Sequence, residues 1–167
     1  MKPRRYEFSR PLTVDRVPAG GSYEKLQADE KERLALATRL DVAVLHDLRA
    51  ELRATPWRGG LKVAGELMAD LEQVSVVSLE PFRATLRLSV TRYFLPAGAV
   101  GGDAEADADP IGHGEVDLGE VVSETLALEI DPYPRKPGES FAEHIEFDDK
   151  SAGRPSSFAG LDKLRKP

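Results

Sequence analysis

No cysteine occurs among the 167 residues. Disulfides and thiolate metal sites are therefore excluded, and no oxidising compartment is implied. No apolar run approaches the ~20 residues needed to span a bilayer. The basic opening, "MKPRRYEFSRPLTV", has no apolar stretch of the kind a secretory signal requires. The cytoplasm is the expected address, with no membrane partner. There is no excess of positive charge either, the net charge being −6, which by itself argues against a nucleic-acid partner.

That average hides an asymmetry. Residues 1–100 carry 16 Lys+Arg against 13 Asp+Glu, whereas residues 101–167 carry 7 against 16. The acidity sits in the C-terminal part, so net charge does not settle the partner. An apolar fraction of 41% with 31% charged residues belongs to a globular chain able to bury one core.

The usual chemical signatures are missing. "AGGS" and "VGGD" are isolated glycine pairs and form no phosphate loop. Ser9, Ser22, Ser75 and Ser78 lack a nucleophile-elbow context, and His46, His113 and His144 fall at no metal-ligand spacing. Asp103, Glu105, Asp107 and Asp109 invite a calcium reading. Counted from Asp103, however, loop positions six and twelve are Ala108 and Gly114, where glycine and a carboxylate are required. The expectation is a non-enzyme with no metal, no cofactor and no small-molecule substrate.

Two segments carry helix signals. Asp29 followed by Glu32 is a capping box, predicting a helix at about 29–40. Asp117 and Glu120 repeat the pattern ahead of Val121, Val122, Leu126 and Leu128, which supply an apolar side. Between them, three segments alternate with period two. Leu48, Ala50, Leu52 and Ala54 take one face of the first, and Leu61, Val63, Gly65, Leu67, Ala69 and Leu71 one face of the second. Phe82, Ala84, Leu86, Leu88 and Val90 do so in the third. Short turns at "PWRGG" and Glu80-Pro81 join them, so the pattern predicts an antiparallel meander with one wet face.

The expected fold is α+β: an antiparallel β-meander, with a twisted, partly closed barrel as the variant geometry, packed by two capped helices. Residues 1–138 form the single globular domain, interrupted by a disordered acidic loop at about 97–115. Residues 139–167 form a flexible tail with a short amphipathic segment at its end. There, Phe158, Leu161 and Leu164 fall at i, i+3 and i+6, ahead of Lys163, Arg165 and Lys166. This segment either docks on a partner or folds back on its own core.

Arg49, Arg53, Lys62, Arg83 and Arg87 all take the solvent phase of the meander, with Glu51 and Glu66 as the local acids. Five cations on one face suit phosphate contacts. The competing reading is an ordinary charged surface neutralised by cross-strand pairs. Stacking aromatics, which a single-strand RNA platform needs, are not expected on that face. Three prolines in "DPYPRKPG" (131–138) stop the second helix and stiffen a turn carrying Arg135 and Lys136.

In order, "LKVAGELMADLEQVSVVSLEPF" (61–82), "DPIGHGEVDLGEVVSETLALEIDPYPRKPG" (109–138) and "SFAGLDKL" (157–164) resemble the YceD family, the bacterial large ribosomal RNA subunit accumulation proteins, in an alphaproteobacterial-like branch. Many members carry a cysteine just before the Leu-Glu-Pro stretch. Here that neighbourhood is "VSVVSLEP", so a thiol role cannot apply. The resemblance implies a non-enzymatic ribosome-biogenesis factor supporting accumulation or processing of large-subunit ribosomal RNA. Its partners would be precursor RNA, met through Arg49, Arg53, Lys62, Arg83, Arg87, Arg135 and Lys136, or ribosomal and processing proteins. The alternative is a protein–protein adaptor that works through Phe158, Leu161 and Leu164 without touching RNA.

Overall fold

The computed structural model describes residues 6–99 and 108–140. The chain forms β1 (Pro11–Thr13), a 3-10 turn (Val14–Arg16), β2 (Ser22–Gln27), α1 (Glu30–Arg39), β3 (Val44–Trp57), β4 (Gly60–Val74), β5 (Pro81–Pro96), β6 (Ala108–Ile111), β7 (Glu115–Asp117) and α2 (Leu118–Glu129). One sheet has the order β2-β3-β4-β5-β6, and β1 pairs with β7 in a separate two-stranded ribbon. The expected α+β meander is present as β3-β4-β5, every neighbouring pair antiparallel. No closed barrel forms among the described residues.

Period-two alternation turns the predicted inward residues of β3 and β4 into the core, whereas Phe82, Ala84, Leu86 and Leu88 of β5 are half-buried. Leu48, Ala50, Leu52 and Ala54 of β3 and Leu61, Val63, Leu67, Ala69 and Leu71 of β4 are buried in one core with Leu36 of α1 and Leu118, Val122 and Leu126 of α2. Gly65 sits in this series for a steric reason. A methyl there would lie 2.1 Å from the Glu51 carbonyl oxygen of β3, so only glycine allows the strands to approach this closely.

The caps follow the sequence with one difference. Asp29 accepts from Glu32 N while the Glu32 side chain accepts from Asp29 N, a complete capping box. Asp117 likewise accepts from the amides of Gly119 and Glu120. Glu120 does not close that second box, because its carboxylate is turned to Arg39 of α1. The Asp117 carboxylate instead also receives Ser9 Oγ and Arg10 N, tying the N-terminal segment to α2.

Leu128 is not on the apolar side: it is 80% exposed. Leu118, Val122 and Leu126 recur every four residues, and at 100° per residue Leu128 is carried about 200° past Leu126.

Two short strands fall at the C-terminal end of the segment expected as a loop at about 97–115, of which residues 100–107 lie outside the described residues. Ala108–Ile111 pairs in parallel with Tyr93–Pro96, and Glu115–Asp117 pairs with β1. Arg92 holds Asp109 at 2.5 Å and Glu124 at 3.4 Å, which ties both β6 and α2 to β5.

Candidate nucleic-acid interface

Because the strand period is two, the pairing register also aligns the residues that point away from the core. Across β2, β3, β4 and β5, successive rows of the outward face read Tyr23, Arg53, Ala64, Thr91; then Lys25, Glu51, Glu66, Ser89; then Gln27, Arg49, Met68, Arg87. Beyond these, Asp47, Asp70 and Thr85 align, followed by Glu72 and Arg83. At the opposite end Lys62 pairs with Thr55 on one side and Tyr93 on the other. All five predicted cations of the meander therefore share one sheet face.

The face is divided by the acidic row of Glu51 and Glu66. On its β4–β5 turn side the charges are largely consumed. Arg83 donates two hydrogen bonds to Asp70, at 2.7 and 2.5 Å. This fork holds the Asp70 carboxyl below its ordinary range and raises Arg83 above its own. Arg49 lies 3.4 Å from Asp47, and His46 pairs with Glu72 at 2.8 Å. Arg87 is exposed and has no carboxylate partner among the described residues.

The hairpin side is different. Arg53 and Lys62 have no carboxylate partner among the described residues; each lies over an aromatic ring instead. The Arg53 guanidinium carbon is 5.0 Å from the Tyr23 ring centroid, and Lys62 Nζ is 5.6 Å from that of Tyr93. Arg58, in the β3–β4 turn, lies 5.1 Å over Trp57. Trp57 and Tyr93 contact one another with centroids 4.7 Å apart. Arg53 is further fixed by a 2.9 Å hydrogen bond to the Gly20 carbonyl. Aromatics were not expected on this face. Three are present, because β2 joins the sheet and brings in Tyr23, and because β3 and β5 run on to Trp57 and Tyr93. In the sequence, the sign of this is the continued alternation Thr91, Tyr93 at the end of β5.

Arg135 and Lys136 are elsewhere. Their turn packs on the β4–β5 connection: Val76 N donates to the Pro134 carbonyl at 2.9 Å, and the buried Ser75 hydroxyl donates to Glu139. Lys136 Nζ lies 2.9 Å from Glu80, which raises the ammonium above its ordinary value. Arg135 is exposed on the same turn. Phe158, Leu161 and Leu164 lie outside the described residues. Among the described residues no helix is long and apolar enough to cross a membrane.

A family model described as large ribosomal RNA subunit accumulation protein YceD matches residues 63–165. No curated protein and no solved structure matches the chain. Tyr93, Arg83, Arg87, Arg135 and Lys136 fall within the matched span, whereas Tyr23, Arg53, Trp57, Arg58 and Lys62 precede it.

Proposed function

The chain belongs to the YceD family, and from that premise we propose that it supports accumulation of large-subunit ribosomal RNA by contacting precursor RNA directly, without catalysis. The observation that carries this reading is the unequal neutralisation of one sheet face. Arg83 and Arg49 have carboxylates; Arg53, Lys62 and Arg87 have none among the described residues. Cations left without carboxylates on a flat, wet face suit a phosphate backbone, which would release counterions on binding. Lys136 contributes less in this reading, because a phosphate must compete with Glu80 for it.

The test is binding of the purified chain to a precursor large-subunit RNA fragment across a salt series. Affinity that persists near physiological salt, with log K falling linearly in log salt, is the expected result. Absence of binding at low salt would sink the direct-contact reading.

A second reading has one observation in its favour. The family match runs to residue 165 and so includes Phe158, Leu161 and Leu164. That reach supports a protein adaptor whose partner is captured by the C-terminal segment. Removing residues 155–167 would then abolish partner capture and leave the thermal transition in place, whereas capture by the truncated chain would exclude it.

A further inference from the structure

We propose that the hairpin end of the outward face recognises unpaired RNA nucleotides, with Tyr23, Trp57 and Tyr93 as stacking surfaces and Arg53 and Lys62 as the phosphate-facing cations. The inference rests on the direct-contact reading above and names the class of RNA. Tyr23 stands on β2 and Tyr93 on β5, three strand spacings apart, or about 15 Å. Between them the floor is low: Ala64 and Thr91 occupy the row that Tyr23 and Arg53 begin. Tyr23 is 74% exposed at the edge of the sheet, with the Arg53 guanidinium over its ring. Among the described residues, the outward rows of Tyr23 and of Lys62 carry no carboxylate.

The chemistry separates single strands from duplexes. In a duplex the base faces are already stacked on one another, so an aromatic side chain on a flat sheet can reach only phosphate and ribose. An unpaired base offers a free π-face. When it settles on a ring it displaces the cation there, and the cation can move to the adjacent phosphate. Sheet platforms of this kind stack two or three bases. Each ring is expected to contribute roughly five- to a hundredfold in affinity.

Trp57 is the single tryptophan, so its fluorescence reports on this end alone. The full chain is titrated with a mixed-sequence single-stranded RNA and with a blunt duplex of equal length, following Trp57 emission and the anisotropy of labelled RNA. The expected result is quenching by the single strand, at least tenfold preference for it near physiological salt, and loss of that preference in Tyr23→Ala and Tyr93→Ala. Tyr23→Phe should retain it. Tyr23 is an exposed edge residue, so its alanine variant keeps the test open even where Tyr93→Ala perturbs the sheet. Equal affinity for both RNAs without quenching overturns single-strand recognition while leaving RNA contact standing. No binding to either RNA removes both.

Discussion

Arg39, at the end of α1, grips Glu120 in the first turn of α2 through two hydrogen bonds of 2.8 and 2.7 Å. Its guanidinium also reaches Glu7 at 3.0 Å, so one side chain joins both helices and the N-terminal segment. The hydrogen bond to Glu120 is the main reason the guanidinium is held protonated above its already high ordinary value. Arg39→Met keeps the aliphatic stem but leaves Glu120 without its partner. A loss of about 1–2 kcal/mol in urea denaturation is expected, with the slope of the transition unchanged and RNA binding unaffected.

Arg10 and Glu32 predict the acid limb of the stability curve. Arg10 donates to both Glu32 oxygens, at 2.7 and 3.0 Å, while Glu32 also closes the α1 capping box. The Arg10 hydrogen bonds come first among the causes that hold the Glu32 carboxyl below its ordinary value. A depressed carboxylate contributes stability that is full above its unfolded pKa, near 4.3. That stability is lost as pH falls through the lower folded value. Glu32→Gln should therefore lower the melting temperature at neutral pH and flatten its decline below about pH 4.5. Parallel acid limbs in wild type and variant would refute the assignment.

Gly65→Ala tests how closely β3 and β4 approach. The added methyl meets backbone at 2.1 Å (Glu51 O) and 2.9 Å (Leu52 Cα), not a movable side-chain end. A destabilisation of about 1–3 kcal/mol is expected, measured by chemical denaturation. Slower folding or a lost transition would agree; an unchanged midpoint would not.

Arg83 and Arg87 should separate, although both lie outward on β5. Arg87→Glu is expected to weaken RNA affinity and reduce the salt slope by about one. Arg83→Glu places a carboxylate against Asp70 and Glu72, so its first effect is local repulsion. Arg83→Gln, which removes the charge without adding repulsion, should leave the salt slope closer to wild type than Arg87→Gln does. Equal effects of the two neutral variants would show that the Asp70 pair opens readily to RNA.

Much of the architecture is legible in the sequence because it rests on short-range physics. A side-chain period of two assigns the faces of β3, β4 and β5 without reference to any partner. Asp29 and Asp117 mark both helix starts, because an uncapped first turn leaves its amides unsatisfied. The family match likewise rests on the sequence alone and spans residues 63–165.

Only tertiary structure decided what meets on the outward face. Leu26 is the sole buried residue of β2, so nothing in that segment's own pattern announces a strand; pairing with β3 makes it one. Tyr23 and Tyr93, 70 positions apart in the chain, come to frame one surface only because three intervening strand pairings fix their register. The same pairings choose which arginines face carboxylates. Arg83 receives Asp70 from the neighbouring strand, while Arg87, four residues on, has Met68 as its cross-strand neighbour. The alternation of the sequence says that these charges point outward. The register of the sheet determines which remain available for a ligand, because neutralisation acts over a few ångströms and the chain order does not encode those distances.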